Sequence, residues 1–196
     1  MSELRFLGRL DRVGRAFYVA TVTGADDWPA WDDPIGRFVA FTALDARGIS
    51  STELRRLAAG LLDRGCVYSC SWGPEARYVE QAFDNEAIER GPQWDDVMTT
   101  GSETDSLDDA LWYAVWSAWP MDDVAADAVV IVTGEEWAEE ILARLSRLEA
   151  WSDEVVARDH DDSSARGRGA RALERCLHAA RGVPRLAGLV RRRFRP

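Results

Sequence analysis

The chain has 196 residues, 46% of them apolar, and a net charge of −10, which suits one core-forming domain with an appendage. All 24 basic side chains are arginine and the two histidines are His160 and His178. The first 159 residues therefore offer no Schiff-base amine, no P-loop lysine, no serine–histidine pair and no HExxH zinc site.

No apolar run reaches the roughly 18 residues that span a bilayer, and the start, MSELRFLGRL, has no apolar signal segment before its first charges. Three cysteines, an odd number, do not make a disulfide framework. The expectation is a cytoplasmic, reduced protein. Its charge is divided: residues 1–165 carry 14 arginines against 33 carboxylates, a balance of −19, while residues 166–196 carry 10 arginines against Glu174 alone, a balance of +9. An acidic body repels nucleic acid and anionic membranes over a Debye length, so either would have to meet the tail. The same tail could also fold back on the body, because tethered opposite charges meet at high effective concentration.

In chain order, Ala16–Thr23 reads as a strand that joins a sheet at its edge. The loop Gly24–Gly36 carries Trp28 and Trp31 and reads as an excursion packed on the body. Arg37–Leu44 (RFVAFTAL) is a buried strand. Ser50–Arg64 is a helix: Ser50 and Glu53 have capping-box spacing, and Leu54, Leu57, Ala58, Leu61 and Leu62 share one face. Gly65 ends it. Cys66–Trp72 is a second strand whose alternation places Cys66, Tyr68, Cys70 and Trp72 on one side. Pro74 opens a helix to about Glu86 that buries Ala76, Val79, Ala82 and Phe83.

Asp96–Thr100 is a short third strand. Ser106 or Asp105 caps a helix over Leu107–Trp119, which Pro120 stops. Ala128–Thr133 is the clearest buried strand. Glu135–Ala150 follows as a helix with Trp137, Ile141, Leu142, Leu145 and Leu148 inward and a Glu140–Arg144 pair outside. Ser152–Gly169 is polar and reads as a linker or mobile loop. Short helices over Ala170–Ala180 and Pro184–Phe194 follow, the second basic and amphipathic. The organisation is an α/β domain over 1–150, a linker over 151–169 and a basic helical tail over 170–196. The strand–helix rhythm argues for a mostly parallel sheet covered by helices.

In such a sheet a ligand lies beyond the carboxyl ends of the strands. That reading selects Asp45, Ser71, Trp72, Thr99, Thr100, Glu103, Thr133 and Glu135. Against a phosphate stand Glu75, Asp108, Asp109, Glu135 and Glu136, which sit where helices begin and cap them. Cys66 and Cys70 are spaced for packing, with Cys70 the better candidate if either thiol reacts. Six Asp–Asp pairs read as turns and caps. Asp159-His160-Asp161-Asp162 mixes metal-ligand types but lies in the linker. Residues 167–172 match a dinucleotide fingerprint, yet follow no strand. No catalytic residue, metal ligand or cofactor is assigned.

The helix Leu107–Trp119 carries a surplus. Leu107, Leu111, Ala114, Val115 and Ala118 form its sheet face, and Trp112, Trp116 and Trp119 form a second stripe beside it. Those rings need cover from the excursion, from the tail with Arg191, Arg192 and Arg193, from a second subunit or from a partner.

The segments CSWGPEARYVEQAFD, DVMTT and SLDDALWYAVWSAWP resemble a bacterial domain family of unknown function, over Arg37–Leu148. Relatives carry a Trp-His pair after the Met-Thr-Thr element; here that place reads Gly101-Ser102-Glu103. The resemblance implies a Rossmann-like, three-layer α/β fold with a mostly parallel sheet, to which the short α-helical tail is an extension. It implies no known activity. The functional expectation is a non-enzymatic binding protein, immunity- or scaffold-like, that meets a protein partner through its acidic body and tryptophan surface. The alternative is a small-ligand enzyme or sensor at the strand ends. Nucleic acid or an anionic membrane would be met through the tail alone, and a homo-oligomer is compatible with either reading.

Overall fold

A computed structural model describes residues 4–23, 35–120 and 126–166, with side chains to Ala157. It divides into two compact units, Met1–Ser152 and Asp153–Pro196. The first unit contains β1 (Arg5–Leu10), β2 (Arg15–Val22), β3 (Phe38–Ala43), α1 (Ser51–Asp63), β4 (Cys66–Trp72), α2 (Ala76–Arg90), β5 (Met98–Ser102), α3 (Leu107–Trp116), β6 (Ala128–Gly134) and α4 (Glu135–Leu145). The last described helix, α5 (Leu148–Arg166), begins in the first unit and runs on into the second.

The six strands form one sheet in the order β1-β2-β6-β3-β4-β5. All neighbours are parallel except β1, which pairs antiparallel with β2. The fold is thus α/β and Rossmann-like, with a mostly parallel sheet. The central strands are apolar on both faces because helices lie on both. On one face α1 and α2 bury Leu54, Leu57, Leu61, Val79 and Phe83 against Phe38, Ala40, Val130 and Val132. On the other, α3 and α4 bury Leu111, Val115 and Ile141.

The capping box at Ser50 and Glu53 is present in full, with Glu53 Oε2 accepting from the Ser50 N–H at 2.8 Å. Ser106, not Asp105, caps α3.

Five expectations need correction. The strand read from Ala16 is not at the edge, since β1 lies outside it. β1 escaped notice because Arg5, Gly8 and Arg9 break its alternation. Cys66 does not share a face with Cys70: Phe38 pairs with Cys66 but Val39 pairs with Tyr68. Val67 is therefore an extra residue, and Cys66 turns into the core beneath α1 and α2.

The helix α3 stops at Trp116, because the Ser117 and Ala118 N–H groups both turn back to the Tyr113 carbonyl. Finally, Glu135–Ala150 is not one helix. It breaks at Ser146–Arg147, and α5 then runs through the polar stretch read as a linker. Nothing from Leu148 to Arg166 is glycine or proline, so that stretch holds no helix breaker. The readings of residues 24–34 and of the tail beyond Arg166 lie outside the described residues, as do the side chains of Asp159–Asp162. No described helix is long and apolar enough to cross a membrane.

Candidate functional site

Three places carry the side chains singled out by sequence: the strand carboxyl ends, the layer between β4 and α3, and the C-terminal end of α3. At the first, β3 delivers Asp45, which accepts from the Arg47 N–H at 3.0 Å and from Arg47 Nε at 2.9 Å. Those hydrogen bonds hold its carboxyl below the ordinary carboxylate range. The chain leaves β4 in a tight turn. Gly73 has φ +117°, and a Cβ there would stand 2.6 Å from the Leu44 carbonyl oxygen, so glycine lets β4 pass β3 this closely. Glu75, with φ 61°, is the one non-glycine residue in the left-handed region among those described. Arg77 pairs with Glu75 at 2.8 Å and with Glu103 at 3.7 Å. Trp72 donates from its indole to the Asp105 carbonyl at 2.9 Å and packs edge-on against Trp137.

The rim thus alternates in sign and is closed by its own ion pairs. It contains Asp45, Trp72 and Glu103 of the expected ligand set, and Glu135 opens α4 at the end of β6. The four hydroxyls of that set are each bonded to the protein's own groups. Ser71 is buried and accepts from Thr42 at 3.1 Å. Thr133 is buried and donates to the Gly134 carbonyl at 2.9 Å. Thr99 donates to Asp84 of α2 at 2.6 Å. Thr100 lies on the opposite face, hydrogen-bonded to Tyr68 and Cys70. The eight residues are therefore not gathered into one set of ligand donors.

Beneath α3, the Tyr68 and Tyr113 hydroxyls hydrogen-bond at 2.8 Å. Burial pushes the Tyr68 hydroxyl up and pushes the Cys70 thiol up to about 12. Cys66 is raised to about 12 by the same cause. A thiol held protonated is no nucleophile at neutral pH. Among the described residues no three His, Cys, Asp or Glu side chains converge as a metal site.

The C-terminal end of α3 is the most constructed of the three places. Leu107, Leu111, Ala114, Val115 and Ala118 are buried as their spacing requires. The last carbonyls of a helix have no partner within it. Here Arg15, at the start of β2, supplies one. Its Nη1 donates to the Val115 carbonyl at 3.1 Å and its Nη2 to the Ala118 carbonyl at 2.8 Å. Arg15 is 0% exposed, and burial pulls its guanidinium pKa down. No ion pair to Arg15 occurs among the described residues; the carbonyl end of the α3 dipole faces it instead.

Above it the Trp119 ring lies 4.2 Å from the guanidinium carbon, while Trp119 Nε1 donates to the Trp116 carbonyl at 2.9 Å. Arg12, in the β1–β2 turn, stacks on Trp116. The cover that the tryptophan stripe demanded thus includes the N-terminal hairpin. Trp112 and Trp116 keep buried indole N–H groups that have no hydrogen-bond partner among the described residues. Arg191, Arg192 and Arg193 lie outside the described residues. Sequence reading missed Arg12 and Arg15; the available signal was an arginine in the inward phase of an otherwise apolar strand.

Comparison with curated proteins and with solved structures finds no match. The profile of one family, Domain of unknown function (DUF7684), matches residues 17–148. That span runs from β2 to the start of α5 and reaches further toward the N-terminus than the resemblance read from residue 37. The chain belongs to this family, whose domain comprises five parallel strands of the sheet and the helices between them.

Proposed function

We propose that the protein is a binding module that recognises another protein through the C-terminal end of α3, with its acidic body steering basic partners toward it. One observation carries this reading: Trp119 is 52% exposed yet held by the Arg15 guanidinium beneath it and by its own hydrogen bond to Trp116. An exposed tryptophan costs solubility and an immobilised one has lost its conformational entropy in advance, which are the properties of an interface anchor. The hydroxyls of the competing ligand reading are engaged within the protein, which gives that reading less support.

The test compares wild-type protein with Trp119→Ala, both tagged and recovered from cells that produce the protein natively, at low and high salt. The expected result is a stoichiometric companion that weakens with salt and is lost in the variant, while the variant still unfolds in one cooperative transition at a modestly lowered thermal midpoint. Identical recovery with both proteins would refute the reading.

A further inference from the structure

The sheet has two edges, and they are built differently. β1 is guarded in the usual ways: its register with β2 is broken between Phe6 and Gly8, and it carries Arg5 and Arg9. β5 has neither device. Its sequence is MTTGS, without proline or charge, and it pairs with β4 in unbroken register from Met98 to Ser102. Among the described residues no strand lies beyond it. The Ser102 carbonyl accepts from the Gly73 N–H, so Ser102, Thr100 and Met98 turn their backbone groups inward. By alternation the N–H and C=O of Thr99 and Gly101 face outward.

Carboxylates surround this open edge. Asp95 and Asp96 are exposed just before the strand, and Glu103 and Asp105 just after it. On the α2 side Asp84 accepts from Thr99. Glu80 lies against the strand itself, its Oε2 standing 2.7 Å from where a Cβ on Gly101 would be. Glu80 is half-buried and has no hydrogen bond or ion pair among the described residues. Burial and the nearby Asp84 raise its pKa. The arginines of the segment, Arg77 and Arg90, are already ion-paired. Two copies of this edge laid antiparallel would set Asp95 and Asp96 of one against Glu103 and Asp105 of the other. The acids therefore oppose self-pairing and suit a cationic strand.

We propose that the open edge of β5 is a docking site for an arginine- or lysine-rich extended segment of another protein, which adds as a seventh strand. Its backbone pairs with Thr99 and Gly101. One of its cationic side chains meets Glu80 and Asp84, and its flanks meet the acids at either end. The site is separate from Trp119, so either proposal can fail while the other stands.

The experiment titrates the full chain with a fluorescent peptide of alternating arginine and valine and follows anisotropy. Saturable binding is expected, weakened by salt and reduced about tenfold by Glu80→Gln with Asp84→Asn. Methylating alternate peptide nitrogens should abolish it, and Trp119→Ala should leave it unchanged. Glu80→Gln alone removes a desolvated charge, so it should raise the thermal midpoint while lowering peptide affinity; opposite signs separate a lost site from a lost fold. The proposal is overturned by no binding, by equal affinity in the double variant, or by equal binding of the methylated peptide, which would indicate charge attraction alone. Sedimentation showing self-association that Asp84→Asn strengthens and the peptide does not disperse would assign the edge to a second copy instead.

Discussion

Arg15 and Trp119 lie face to face, the guanidinium carbon 4.2 Å from the indole centroid, although 103 residues separate the arginine from the last carbonyl it caps. The contact joins the first residue of β2, two positions before the span matched by the family, to the end of α3. It also fixes Trp119, whose ring stands half in solvent.

Removing Arg15 should therefore cost about as much as an ordinary core truncation. Arg15→Leu leaves the carbonyls of Val115 and Ala118 buried without a donor, and a loss of about 3 kcal/mol or more is expected in urea unfolding. Arg15→Lys keeps the charge but not the planar fork, so it should fall between wild type and Arg15→Leu. Equal stability of all three would show that the carbonyls find water instead.

Gly73→Ala tests the turn after β4. An alanine there needs φ +117° and places its Cβ against the Leu44 carbonyl, so a destabilisation of about 2 kcal/mol or more is expected. The indole of Trp72, bonded to Asp105 across the same turn, should report the shift by fluorescence.

Asp108 ties three elements together, accepting from Arg144 Nε of α4 and from Trp151 Nε1 of α5. Asp108→Ala should cost about 1.5–3 kcal/mol, the range for hydrogen bonds to a charged group. Hydrogen exchange should locate the loosening at the α4–α5 junction and leave the amides of β3 and β6 protected.

The thiols give a pH prediction. Cys70 and Cys66 are raised to about 12 in the folded state, so the native protein holds their protons more tightly than the unfolded chain does. Their contribution is fully present below the unfolded thiol's pKa and is lost as pH rises from about 9 toward 12. Cys70→Ala should flatten that alkaline decline. Iodoacetamide at pH near 8 should leave both residues unmodified in folded protein and label them after denaturation, as read by mass spectrometry. Rapid labelling of Cys70 in the native state would contradict its burial.

Much of the fold was legible because burial has a period. The bounds of β4 and the capping box at Ser50 match the reading from composition and spacing, and β3, α1 and β6 lie within a residue or so of their expected ends. The failures have local physical causes. β1 is a guarded edge whose arginines and glycine hide its pattern. Val67 inserts one residue and reverses the face of Cys66. The composition of residues 152–166 looked like a linker, but it lacks any residue that breaks a helix. The candidate site was less legible. The tryptophan stripe on α3 was visible, whereas its partners Arg12 and Arg15 lie about a hundred residues earlier.

Composition and periodicity were enough to establish that the first 159 residues work without lysine or histidine, that charge is segregated, and which face of most elements turns inward. Periodicity encodes the phase of burial. It does not encode which buried face meets which. Packing in three dimensions placed β6 between β2 and β3, set Arg15 under the last turn of α3, and left β5 beside Glu80 with no strand beyond it among the described residues. Those relationships depend on strand order and register, which arise from packing across the whole sheet.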